Sequence, residues 1–245
     1  MIHGFCAVYL REMLILKHRL KRQVASFAVS PLLYLVAFGY AMGGEFHIEG
    51  HTYLEFLLPG LVAMASMTQA FSIATDINVA RFYWHIFEEF QAAPICNAAY
   101  VSGEVLAGMT RALLGIVVIL TMGLFFGLTL SYGPLFWLAA LLNSFIFASL
   151  AVAMAMLVKS HADQSLLTSF VITPMAFLGG TFFPVDRLPE WAQAILYFLP
   201  LTHASNTIRA TALGQTVDLR SFIVLAAIGV VFFVIALFTV NKARD

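Results

Sequence analysis

Apolar residues gather along this chain into long runs, and polar residues gather between them. A helix needs about 20 mostly apolar residues to cross a bilayer. Five runs meet that length easily, at 24–43, 54–75, 105–128, 134–158 and 221–240, and a shorter one at 166–183 meets it if untilted. The pattern predicts six spans. A further apolar piece at 191–201 is too short to cross and lies between Pro189 and Pro200, which marks a re-entrant or interfacial helix. Ahead of the first run, Ile2, Phe5, Tyr9, Met13, Leu16 and Leu20 recur at helical spacing, with Arg11, Lys17, His18, Lys21 and Arg22 mostly off that stripe. Such a segment lies in a membrane surface or binds a partner, and the two are compatible.

Composition agrees with lipid as the main solvent. The chain is 61% hydrophobic and 11% charged, where an average soluble domain carries about 25% charge. Net charge is zero, so nothing suggests nucleic-acid binding. The first 23 residues do not read as a cleavable signal peptide, because their basic cluster comes directly before the apolar run instead of at the start. That cluster, Lys159, and the basic tail with Lys242 and Arg244 contrast with the acidic loop at 44–53. The basic bias places both termini in the cytoplasm and the 184–220 segment outside. Cys6 and Cys96 then fall near the cytoplasmic face, where they read as small reduced apolar residues.

Candidate chemistry is sparse. The chain has no G-x-x-x-x-G-K-[ST], so it cannot cradle nucleotide phosphates in its own P-loop. It also lacks G-x-S-x-G, H-E-x-x-H and C-x-x-C. Glu45, His47, Glu49 and His51 alternate on the first external loop, where extended backbone can bring two histidines to one ion. A solvated polar loop is the reading preferred there, and no metal is assigned.

Charges inside spans carry more weight, since an ionisable group at the bilayer centre costs on the order of 3 kcal/mol. Asp76 lies near the inner end of the second span; Glu104 and Arg111 share a face of the third. A functional pair, a structural pair and interfacial anchoring all fit them. Arg111 is expected to pair with Glu104 or Asp76. The 81–97 segment is aromatic and acidic, with Trp84, Phe87 and Phe90 three residues apart, Glu88 and Glu89 beside them, and Pro94 as a stop. It predicts a short helix that either lies in the interface or docks on a soluble partner through aromatic anchors.

Together these segments resemble the type-2 ABC exporter permeases, over nearly the whole chain. Glu88-Glu89-Phe90-Gln91-Ala92-Ala93-Pro94-Ile95 is similar to that family's E-E-L-L-x-A/T-P-I stretch, with Phe90 and Gln91 in place of leucines. Thr173-Pro174-Met175-Ala176-Phe177-Leu178-Gly179-Gly180 resembles the fifth-span motif, and the stretches at 183–189 and 198–203 resemble the external-helix region. The latter two, with Gly103-Glu104 and Thr110-Arg111, are most similar to the nodulation-factor exporter branch, which moves lipo-chitooligosaccharides. Others in the wider family export polysaccharides, glycolipids and drugs.

The resemblance implies an all-α polytopic membrane protein, one permease domain over 1–245. It would hold an interfacial helix at 1–23, six spans, a coupling helix within 81–97 and external re-entrant helices within 184–220. It implies no catalytic, cofactor or metal residue in this chain. ATP and magnesium would bind two partner ATPase subunits, meeting Phe87, Glu88, Glu89, Phe90 and Pro94, with Phe90 as the buried anchor. A second copy of the chain, the bacterial inner membrane and an amphipathic substrate complete the expected partners. Pro174, Gly179 and Gly180 would let the fifth span break or approach the second copy, or simply pack tightly. The rival readings are a drug or small-lipid exporter of the same family, a membrane-embedded enzyme and a passive channel subunit. The enzyme would need inward polar residues that the spans largely lack.

Overall fold

The computed structural model describes residues 2–42, 47, 48 and 50–243, so Glu45 and Glu49 of the first loop and the side chain of Glu88 lie outside the description. The protein is all-α and polytopic. Its helices are α1 (Ile2–Met42), α2 (Tyr53–Phe71), α3 (Ile73–Phe82), α4 (Ile86–Ala92), α5 (Asn97–Phe125) and α6 (Pro134–Leu157). They continue with α7 (His161–Leu167), α8 (Thr173–Leu178), α9 (Glu190–Tyr197), α10 (Pro200–Ala212) and α11 (Leu219–Lys242). A two-residue hairpin, His47–Ile48 against His51–Thr52, precedes α2.

Among the described residues, five helical stretches are long and apolar enough to cross a membrane. They start with α1, run through α2 with α3, and end with α5, α6 and α11. The α2–α3 stretch is the centre of the bundle, with 83% of its apolar window buried, against 11% for α1 and 22% for α11. It touches α1, α5, α6 and α10, so the outer helices keep apolar faces for lipid or for another protein.

Two boundaries differ from the sequence reading. The surface helix expected at 1–23 and the span at 24–43 form one 41-residue helix. No breaker separates them: Pro31 costs one internal hydrogen bond, but the helix continues through it. The near end of α1 is pulled onto α5 where Gly103 has no side chain; a Cβ there would stand 2.8 Å from Val8.

The expected span at 166–183 instead begins at α7, passes through a π-helical turn at Thr168–Ile172 and ends with α8 at Leu178. Pro174, in the first turn of α8, has no N–H and crowds the carbonyl four residues back. The widened turn directly before it absorbs that misfit.

The stretch at 184–220 was expected to hold external re-entrant or interfacial helices. It holds a 3-10 turn at Val185–Arg187, then α9 and α10. Of the two helices α9 is the exposed one, with Trp191, Ile195 and Tyr197 on its surface. The polar-looking α10 is instead buried against α2 and α6. Three of its four hydroxyls help by donating to backbone carbonyls, Thr207 to His203 at 2.8 Å, Thr211 to Ile208 at 2.8 Å and Ser205 to Thr202 at 3.1 Å.

Candidate functional site

Charges converge where α1, α3 and α5 cross. Arg111 is 1% exposed and donates from Nη2 to Glu12 Oε2 at 2.9 Å. Its Nη1 donates to Asp76 Oδ2 in a short contact. Arg11 donates to the other oxygen of Glu12 at 2.9 Å, and Arg19 stands 3.9 Å from Asp76. Glu104 is also buried, but its Oε2 has no hydrogen-bond partner among the described residues. Of the two partners expected for Arg111, the geometry supplies Asp76 and not Glu104, whose place is taken by Glu12.

Glu12 is the residue that the sequence reading missed. It sits four residues from Val8 and from Leu16, both buried, so it lies on the packed face of α1. Three helices are tied by one guanidinium. A buried pair of this kind is costly to break, about 3–5 kcal/mol, because the remaining charge stays behind in a dry site.

One step from this network lies α4. Phe87 and Phe90 turn inward onto Tyr100 at the start of α5, with ring centroids 5.6 Å and 5.3 Å away. The Arg81 guanidinium lies over Phe87 at 5.8 Å, and that of Arg11 over Phe90 at 5.4 Å. Arg11 thus touches both Glu12 and α4. Arg81 also donates to Met156 O at 2.8 Å, where a cation satisfies the open C-terminal end of α6. Ala93 is extended (φ −77, ψ 153), as the residue before a proline prefers, so Pro94 ends α4 and turns the chain into α5.

Phe90 was expected to anchor a partner; its half-buried ring packs against the chain's own Tyr100 and Arg11. The three-residue aromatic stripe also divides. Trp84 stands outside α4 and is 52% exposed, while Phe87 is buried. Glu89 is exposed on α4, and Tyr83 and Trp84 are exposed just before it. Cys6 and Cys96 are free and exposed at this same end.

At the opposite end, buried Arg209 of α10 holds the turn after α8. It donates from Nε to Phe56 O at 3.1 Å and from Nη2 to Gly180 O at 2.6 Å, and it lies 3.8 Å over the Phe56 ring. Gly180 has φ +80, which a side chain would strain. Gly179 packs within the chain, where a Cβ would stand 2.7 Å from Leu201. The nearby hairpin pairs His47 with Thr52 and Ile48 with His51. No group of three metal-ligating side chains occurs among the described residues. Glu55 there closes a capping box with Thr52, accepting from its N–H at 2.8 Å.

Between the ends runs a groove of about 380 Å³. Its walls are α1 from Ser26 to Tyr34, α2 from Met64 to Phe71 continuing to Thr75, and the π turn with α8. It continues toward the ion-pair network into a wider space of about 610 Å³ that reaches Arg19, Arg22 and Arg111.

The sequence matches the family described as ABC-2 type transporter over residues 3–213. It is 29% identical to the inner membrane transport permease YadH of Escherichia coli K12, over 93% of this chain and 92% of that relative. It is 32% identical to nodulation protein J of Rhizobium meliloti strain 1021, over 86% and 82% of the two chains. Against the daunorubicin resistance ABC transporter permease protein DrrB1 of Streptomyces coeruleorubidus, identity is 28%, over 81% and 71%.

Proposed function

The chain belongs to the ABC-2 type transporter family, and from that premise we propose that it forms the path of an ATP-driven exporter for an amphipathic, lipid-linked or saccharide-type substrate. It is a membrane permease subunit of an ABC transporter, not an enzyme. ATP and magnesium bind separate ATPase subunits, since this chain has no P-loop. Two copies of the permease and two ATPases make the working unit, in the inner membrane of a bacterium and with both permease termini in the cytoplasm.

The observation that carries this reading is the way α4 is held. Its inner side is fixed to α5, α3 and α1 by Phe87, Phe90 and the two arginines, while Glu89, Tyr83 and Trp84 remain outside. A push on the outside of such a helix reaches Arg11, then Glu12 and Arg111, and so three spans at once. Coupling ATP hydrolysis to a movement of the spans requires a lever of this type.

The test is copurification of a P-loop ATPase with the tagged permease, followed by reconstitution of both. ATP hydrolysis that drives substrate outward, and that is uncoupled by Glu89→Lys with Trp84→Ala, supports the reading. A permease that copurifies with no ATPase, or a pair whose coupling is unmoved by that double change, overturns it. The saccharide part of the proposal rests on the likeness to nodulation protein J and on the hydroxyl-lined groove.

A further inference from the structure

We propose that the groove between α1, α2 and α8 binds an amphiphile with an anionic headgroup, held at the groove's basic mouth. The proposal rests on the exporter reading and adds the sign of the substrate's charge. Three cations and one carboxylate line the mouth, Arg19, Arg22 and Arg111 against Asp76, and Glu12 stands behind Arg111 at 2.9 Å, so the excess positive charge lies on Arg19 and Arg22. Asp76 is already taken by Arg111, with Arg19 at 3.9 Å. Arg22 is exposed and has no ion pair or hydrogen bond among the described residues. A buried donor of the same lining, Arg111 Nε, also lacks a partner there. A phosphate or carboxylate headgroup supplies the missing counter-charge, and arginine matches its planar or trigonal oxygens.

Deeper in, the walls change character. Phe27, Tyr34, Phe71 and Phe177 give apolar and stacking surface for a chain or a ring face. Between them Thr68 donates to Ala65 O at 3.2 Å, Ser72 to Gln69 O at 2.7 Å and Thr173 to Thr168 O at 3.1 Å. A hydroxyl that has given its proton to its own helix keeps lone pairs for an incoming donor. The groove is thus basic at one end, and acceptor-rich and aromatic along its length. A cationic amphiphile would meet repulsion at the mouth, and an unadorned hydrocarbon would strand its polar atoms.

Arginines at a membrane's inner edge also attract anionic lipid without any site, so the experiment has to separate the two cases. The probe is a fluorescent phosphatidic acid titrated into the purified full-length permease in zwitterionic nanodiscs. A same-tail trimethylammonium lipid and inorganic phosphate serve as competitors. Arg19→Gln with Arg22→Gln should weaken the probe about tenfold. Lys17→Gln with Lys21→Gln, on the same helix but outside the groove lining, should change it less than about twofold. Ser26→Trp, which fills the groove and removes no charge, should abolish binding. A thermal-shift curve confirms that each variant is folded.

Equal losses from the two charge pairs would mean a surface annulus and overturn the proposal. So would displacement by inorganic phosphate alone, which would mean a free-anion site, or binding retained in folded Ser26→Trp. Because the permease is tested by itself, a groove that binds while no ATPase copurifies removes the exporter reading and leaves this one standing. The converse result does the reverse.

Discussion

Arg111 on α5 and Glu12 on α1 meet at 2.9 Å across 99 positions of sequence, each almost fully buried. That contact packs the N-terminal stretch of α1 against the bundle. Arg111→Ala should therefore cost up to about 3–5 kcal/mol, because it strips buried Glu12 of one of its two arginine partners and leaves it only Arg11. Arg111→Ala with Glu12→Ala should recover part of the loss. A double-mutant cycle on thermal stability in detergent should give a coupling of about 1 kcal/mol or more for Glu12 with Arg111. The same cycle for Glu104 with Arg111 should give a smaller value. The reverse order would show that the ion pair is not the link between α1 and α5.

A second prediction separates the two sides of the 81–92 region. Tyr100→Ala removes the surface under both Phe87 and Phe90, so it should lower stability by about 2–4 kcal/mol and impair export. Tyr100→Phe keeps the ring and should stay within about 1 kcal/mol of the parent. Trp84→Ala should leave stability within about 0.5 kcal/mol, because the ring is half exposed, and should act only on ATPase assembly. The measurements are thermal unfolding and pull-down of the ATPase. A Trp84→Ala variant that unfolds early but still assembles would reverse the assignment.

How far the sequence shows this arrangement depends on the kind of residue. Span positions were legible because hydrocarbon demands long apolar runs, and the five stretches that qualify coincide with five of the six expected. Asp76 was legible as a partner for Arg111 because charges inside spans must pair. Glu12 was not, since a carboxylate in a segment read as a surface helix has water available. Its spacing from Val8 and Leu16 was the signal that it lies on the packed face. Aromatic spacing in 84–90 gave a stripe but not the body it faces, and the stripe split once Tyr100 claimed Phe87 and Phe90. The burial of α10 was hidden by its threonines, serine and arginine, which hydropathy counts as polar even when backbone carbonyls satisfy them.

Orientation gives a third prediction. The hairpin before α2 and the turn after α10 should face outward, and the start of α7 inward, as the basic bias requires. In a chain with Cys6 and Cys96 replaced, His47→Cys and Gln215→Cys should react with an impermeant thiol reagent on intact cells. His161→Cys should react only after the cells are opened. Labelling of His161→Cys from outside would invert the proposed topology.

The last prediction concerns the end of the bundle opposite the ion-pair network, where one side chain holds three elements. Arg209 ties α10 to the start of α2 through Phe56 O and to the turn after α8 through Gly180 O. Gly180 O lies in a buried turn outside any helix, and a buried acceptor left without its donor costs about 1–3 kcal/mol. Arg209→Ala should therefore destabilise by at least that amount, and more for the lost contact with the Phe56 ring. Arg209→Lys should not rescue it. One ammonium cannot reproduce the two donations that Nε and Nη2 make in different directions, nor lie flat on a ring. Gly180→Ala attacks the same turn from the backbone, forcing a side chain into φ +80 with Ser205 Oγ and Val185 Cγ2 both 3.1 Å away. Both variants should loosen the end of α8 before the bundle as a whole, so hydrogen exchange at 176–182 should rise more than in α5 or α6. Full rescue by lysine, or exchange that rises evenly over all the spans, would show that Arg209 adds bulk to the core and does not latch the turn.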